Sequence, residues 1–299
     1  MKRSLLLVIF FFSVFLTNAQ STNPKKDIFP AATVFKENIP YADDTLKKHL
    51  LDIYLPPVKK SSYPLIVWIH GGAWLSNDKY ADMGYMTNTI KAFIDSGYAL
   101  ASIDYRFSTT AAFPALIQDC NQAIEFLYEN ADKYSLDKDR IALIGFSAGG
   151  HLANLMALSN NNNVKAFYHD KKKPNFKIKL CLDFYGPSDF SVLKGLGDDN
   201  PRNPITLLLG ATVTDRPDLA KRASPITYID KNDPPFLIVQ GEKDQSVNPQ
   251  QSISLSEKLK AVGVKNELII VPGAPHYGVM FDAEFIRKRI FYFLNEYMK

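Results

Sequence analysis

RIALIGFSAGGHLA, residues 140–153, is the stretch on which the reading of this chain turns. The apolar run RIALIGF has the character of a strand buried on both faces, and a helix is predicted over 148–158. Between them sits GFSAG, from Gly145 to Gly149. A serine at so sharp a strand-to-helix turn has neighbours packed too tightly for side chains, which is the physical reason for the two flanking glycines. The turn pushes the Ser147 hydroxyl out above the sheet. There it meets a helix N-terminus, whose unpaired N–H groups and positive dipole end favour negative charge on a bound oxygen. The Ala148 N–H is one such donor.

Outward from this elbow, PLIVWIH, YALASID, IKLCLDF and PFLIVQG are further short apolar runs, and ELIIVPG supplies a last strand. Helices are predicted between them at about 82–96, 112–134, 250–262 and 282–297; in the second, Leu116, Cys120, Ala123, Ile124 and Leu127 recur at three- and four-residue spacing. At the N-terminal end TVFKENI and HLLDIYL, separated by the polar YADDTLKK, read as an antiparallel pair. The expected fold class is therefore α/β: a mainly parallel central sheet with antiparallel N-terminal strands and helices on both faces. Residues 188–233 break the alternation, being rich in Gly, Pro, Asn and Asp with one short apolar patch at 205–209. A segment this long inside one domain is usually functional, and it is expected to form a cap or lid over a pocket.

Serine is a weak nucleophile at its ordinary pKa and needs a base. The chain has five histidines: His49, His70, His151, His169 and His276. With the nucleophile at such an elbow, the acid and then the histidine follow it in loops beyond the carboxyl ends of later strands. His151 lies on the elbow helix and His169 in a lysine-rich stretch, which leaves His276 in VPGAPHYG as the candidate base. The acid should lie after the preceding strand, where QGEKDQSV places Asp244, with Glu242 as near rival and Asp183 or Asp189 as the choices had the acid moved one strand back. The other half of an oxyanion hole is expected in HGGAW, after the strand PLIVWIH, from the N–H groups of Gly71 and Gly72 acting with that of Ala148.

Composition is ordinary: 46% hydrophobic, 22% charged, formal net charge +4, far from a disordered chain. Residues 1–19 carry Lys2 and Arg3 before an apolar run from Leu5 to Leu16, with Thr17 and Ala19 spaced like a cleavage signal. The run is shorter than the roughly 20 residues that span a bilayer, so the expectation is a cleaved signal peptide, a secreted or periplasmic product and no lasting membrane anchor. Without that segment, which holds two cations and no acid, the charge falls from +4 to +2. Lys171, Lys172 and Lys173 read as a solvated loop, and nucleic acid is not an expected partner. Cys120 and Cys181, in a predicted helix and strand, are expected as buried unpaired thiols. With no HExxH, clustered cysteine or phosphate loop, no metal or organic cofactor is expected.

Taken together, HGGAW, YRFS, DRIALIGFSAGGHLA, YGPSDF, GEKDQSV and PGAPHYG resemble the bacterial esterase branch of the α/β-hydrolase superfamily. That branch is related to the hormone-sensitive-lipase-like group and to acetyl and feruloyl esterases of plant polysaccharides. The resemblance covers nearly all of the chain from Phe35 onward. It implies Ser147, Asp244 and His276 as catalytic triad, Gly71, Gly72 and Ala148 as oxyanion donors, and a shaping role for His70. Ala73 stands where the lipase-like group often has a third glycine. Trp74 is the expected substrate-binding aromatic, with Phe146 and Tyr185 as further candidates, and Arg106 and Asp119 are expected to pair as scaffold. The activity implied is hydrolysis of short acyl esters, acetyl or feruloyl groups on carbohydrates among them. The alternatives are a serine exopeptidase of the same fold and a non-catalytic binding protein.

Overall fold

Each buried strand must satisfy its backbone along both edges and cover apolar side chains on both faces. The computed structural model, which describes residues 25–192, 200 and 202–299, meets both demands with one eight-stranded sheet. The strands are β1 (Val34–Pro40), β2 (Leu50–Leu55), β3 (Tyr63–Ile69), β4 (Ala99–Ile103), β5 (Leu136–Phe146), β6 (Ile178–Phe184), β7 (Phe236–Gly241) and β8 (Asn266–Val271). Their order across the sheet is β1-β2-β4-β3-β5-β6-β7-β8. β2 runs antiparallel to β1 and β4, and every later pairing is parallel. This is the α/β-hydrolase arrangement that the resemblance implied.

The helices are α1 (Lys25–Ile28), α2 (Thr87–Asp95), α3 (Ala115–Glu129), α4 (Ala131–Tyr134), α5 (Ala148–Ser159), α6 (Pro204–Leu209), α7 (Pro217–Ala223), α8 (Gln250–Ala261) and α9 (Glu284–Tyr297). Alternate strand residues feed two separate cores. On one face Leu65, Val67, Ile69, Ile141 and Leu143 pack with Leu116 and Ile124 of α3, Leu152 of α5 and Leu255 of α8. On the other, Ile66, Trp68, Ala142, Ile144 and Phe146 pack with Ile90 and Phe93 of α2 and Ile290 and Leu294 of α9.

The sequence reading needs three adjustments. The helix expected at 82–96 is shortened to α2, because Asp82 takes a left-handed φ of 69° and a 3-10 turn, Met83–Tyr85, follows it. Residues 188–233 are more regular than their composition implied. The described part holds α6 and α7: Asn203 caps α6 by accepting the Ile205 N–H, and prolines at the start of both helices begin them where no N–H is required. Phe146 is a core residue, wedged between Trp68 and Phe184, and does not line the pocket. Cys120 and Cys181 are buried and free, and Arg106 forms its ion pair with Asp119 at 2.6 Å. The expected signal peptide at 1–19 lies outside the described residues.

Ile144 is fully buried near the C-terminal end of β5, between β3 and β6. Ile144→Ala is expected to destabilise the fold by about 3 kcal/mol through lost burial and an unfilled cavity, read as a lower urea midpoint at unchanged slope.

Candidate active site

β5 ends at Phe146 and α5 starts at Ala148, leaving Ser147 alone to make the turn, at φ 52° and ψ −116°. Such a conformation persists only where packing enforces it. Here a side chain on Gly149 would collide with the carbonyl oxygens of Ile69 and His70, and one on Gly145 with the carbonyl of Gly149. The Ser147 N–H is donated to the Phe184 carbonyl at 2.9 Å, which fastens the turn to β6.

The structure brings the three candidate side chains together. Ser147 Oγ lies 2.8 Å from His276 Nε2, and His276 Nδ1 lies 2.7 Å from Asp244 Oδ2. Asp244 is itself fixed: Oδ1 accepts the N–H groups of Ser246 and Val247, both at 2.8 Å, and Oδ2 also accepts the Gln240 amide at 2.8 Å. Burial by itself would raise the Asp244 pKa, but the hydrogen bonds and charge of His276 with those two N–H groups hold it below the usual carboxylate range. A carboxylate kept ionised against Nδ1–H leaves Nε2 as the basic nitrogen that faces the hydroxyl.

The rival acids go elsewhere. Glu242 is exposed and accepts the Gly273 N–H, Asp189 accepts from Ser191, and Asp183 is fully buried, accepting the Gly186 N–H at 3.0 Å. Burial pushes the Asp183 pKa up to about 7.

Among the described residues no acceptor takes the N–H of Gly72, Ala73 or Ala148. The loop after β3 reaches this position through backbone that is left-handed at Gly72, Ala73 and Trp74, with φ of 120°, 53° and 62°. Gly71 departs from the sequence reading, because its N–H is already donated to Asp82 Oδ2 at 2.7 Å and is not free for a substrate oxygen. The loop's free donors are those of Gly72 and Ala73. Nothing in HGGAW signals this, since the acceptor is eleven residues further on. His70 shapes the loop as expected. Its Nδ1–H is donated to the Gly71 carbonyl at 2.6 Å and its ring stacks on Tyr105 at 4.3 Å.

Ser147 and His276 open into a cavity of about 800 Å³, walled by the 71–74 loop, Tyr85, Tyr185, Val247, Tyr277 and Pro204, the last at the start of α6. Trp74 lines it and is 4% exposed. The indole is locked from behind: its Nε1–H is donated to His151 Nδ1 at 3.2 Å, and His151 Nε2–H is donated to the Ala223 carbonyl of α7 at 2.8 Å. Phe190 packs against both rings. Tyr85, Val247 and Tyr277 were not singled out in the sequence; Tyr277 follows the candidate base directly, and that adjacency was the available signal.

A model of the BD-FAE family matches residues 51–259, which spans the elbow, the loop after β3 and Asp244. The chain belongs to the BD-FAE family. It is 31% identical over 230 residues to Esterase LipQ of Mycobacterium tuberculosis, covering 76% of this chain and 53% of LipQ. Overall it spans about half the length of the curated relatives it matches. Among solved structures, a bifunctional GH43-CE protein of Bacteroides eggerthii superposes with a TM-score of 0.81 at 36% identity, covering 89% of this chain and 35% of that one. A truncated carbohydrate esterase from gut microbiota gives 0.76 at 30% identity, covering 89% of this chain and 97% of that one.

Burial holds His70 and His151 neutral, each with its pKa lowered from 6.5 to about 4. Between those values the unfolded chain binds protons that the folded chain does not, so this contribution is intact above 6.5 and fades as the pH falls toward 4. Glutamine at 151 can accept from the Trp74 indole and donate to Ala223 without titrating. His151→Gln is therefore expected to reduce the steepness of acid destabilisation by about 1.4 kcal/mol per pH unit in that window. Urea unfolding of both proteins across the window checks this, and equal slopes would contradict it.

Proposed function

We propose that this protein is an exported serine carboxylesterase that removes short acyl groups, acetyl or feruloyl, from carbohydrates. The observation that carries the reading is the unbroken line of hydrogen bonds Ser147–His276–Asp244 at the floor of an open cavity, beside two stretches of unclaimed backbone N–H. Ser147 Oγ attacks the ester carbonyl carbon as its proton passes to His276 Nε2, and the carbonyl electrons move onto the oxygen. The N–H groups of Ala148 and of Gly72 or Ala73 receive that oxyanion. Collapse expels the alcohol, which takes the proton from His276. Water then adds to the acyl-enzyme by the same route, restoring Ser147 and releasing the acid. Asp244 stabilises the imidazolium formed in each half.

The substrate class draws on three supports. The solved relatives named above are a GH43-CE protein and a carbohydrate esterase. The signal-like residues 1–19 would deliver the chain to where polysaccharides are met. The cavity is roomy and partly polar, with Trp74 and Pro204 offering apolar wall and Tyr85 and Tyr277 lining it as well. In this reading α6 and α7 cap one side of the pocket.

The test is a panel of acetyl, butyryl, long-chain and feruloyl esters, acetylated xylan and aminoacyl amides. Ser147→Ala should lower kcat on the acetyl and feruloyl members by roughly 10⁴-fold or more, and Asp244→Asn by a comparable factor. A clear preference for long acyl chains would remove the carbohydrate assignment. Turnover of aminoacyl amides would favour an exopeptidase, and failure of a fluorophosphonate probe to label Ser147 would favour a binding protein.

A further inference from the structure

Asp82 belongs to no motif read from the sequence, yet it joins three walls of the site. Its Oδ2 accepts the Gly71 N–H at 2.7 Å and its Oδ1 accepts the Tyr85 hydroxyl. With the Tyr85 proton so used, the 2.9 Å contact between the Tyr85 and Tyr185 hydroxyls must be donated by Tyr185. The Tyr185 ring in turn lies 4.8 Å from that of His276. One line of hydrogen bonds thus runs from the loop after β3, through the 3-10 turn, to the residue after β6 that packs beside the imidazole. The turn cannot drift from β3, because the Trp68 indole donates to the Ala81 carbonyl at 3.1 Å.

The consequence is geometric. Gly71 has both its peptide groups held: the N–H by Asp82, the carbonyl by His70 Nδ1 at 2.6 Å and Asn77 Nδ2 at 3.3 Å. In a trans peptide the N–H points opposite to the preceding carbonyl. Fixing the Gly71 carbonyl therefore fixes the direction of the Gly72 N–H. A side chain on Gly71 would come within 2.9 Å of the Phe146 carbonyl and 3.5 Å of Ser147 Cβ, so this peptide sits directly against the nucleophile. A half-buried carboxylate with bonds at both oxygens is a stiffer anchor than a neutral acceptor, though desolvation pulls its pKa upward.

We propose that Asp82 is the positioning residue of the oxyanion loop. It touches no reacting atom; it clamps Gly71 from the N–H side while His70 and Asn77 hold the carbonyl, so that the Gly72 N–H is already aimed when the oxyanion forms. Preorganised donors contribute most in the transition state, so loosening them lowers kcat more than it changes substrate binding. The role rests on ester hydrolysis at Ser147, as proposed above.

The test compares Asp82→Ala, Asp82→Asn and Ser147→Ala on a short acyl ester, with thermal unfolding of each. Asp82→Ala is expected to lower kcat roughly 10- to 100-fold while KM moves less than about threefold. Asp82→Asn should recover most of the loss, since its carbonyl accepts from Gly71 and its amide donates to the Tyr85 oxygen. Wild-type kcat in Asp82→Ala beside an inactive Ser147→Ala would overturn the positioning role alone. Should Asp82→Ala fail to fold, Asp82→Asn decides: a folded protein near wild-type kcat supports the role, and one impaired beyond about tenfold overturns it. Wild-type turnover in Ser147→Ala would overturn the esterase reading and this role with it.

Discussion

The first turn of α5 lies against the end of β3 with no room for a side chain between them, and the site depends on that contact. Because Gly149 meets the carbonyls of Ile69 and His70, the helix starts as soon as β5 ends and Ser147 has to occupy a left-handed backbone. The same contact sets the 71–74 loop beside Ser147, and both line one cavity. A looser junction would relax the serine and shift the loop from it. Strain at one residue is therefore offset by burial spread over the cores on both faces of the sheet.

A second layer of ties keeps this geometry from depending on the loop alone. His151, one turn along α5, accepts from Trp74 and donates to the Ala223 carbonyl, linking the loop after β3 to the 188–233 insertion. Asp82 makes the corresponding link on the other side, toward Tyr185 and the imidazole. His151 is buried and Asp82 half-buried, and both work through directed hydrogen bonds, which lose much of their value when one partner is removed and the other stays shielded from water. The insertion is thus held to the same helix that carries the serine, and changes in its path would be felt at Trp74 first.

Much of this was legible in the sequence because it obeys local rules. Short continuous apolar runs and the glycines at the elbow are each written within a few residues, the order of serine, acid and histidine follows from the chain itself, and the strands, α5, Asp244 and His276 fall where those rules put them. What was hidden depends on folding back across distance. Gly71 looked like a free donor because its acceptor, Asp82, lay in a segment that the pattern assigned to a helix. Phe146 looked like a pocket residue because it adjoins the serine, but alternation along β5 turns it to the opposite core. Residues 204–209 and 217–223 looked like loop because their prolines signal breaks, whereas prolines at a first helical position start helices.

The same contrast between residue type and surroundings decides which carboxylate stands beside the imidazole. Asp183 and Asp244 lie at the ends of neighbouring parallel strands, and either is close enough in sequence pattern to have served. At Asp183 burial dominates, its one backbone donor is Gly186, and the pKa rises to about 7. A group so placed is partly protonated near neutrality and stabilises an imidazolium poorly. Asp244 is also buried, yet His276 and the N–H groups of Val247 and Ser246 lower its pKa, and the Gln240 amide donates to it as well. The turn 244–247 thus builds an anion site by folding its own backbone back on the carboxylate. That local arrangement, rather than mere proximity to the last loop, is what suits Asp244 to orient His276.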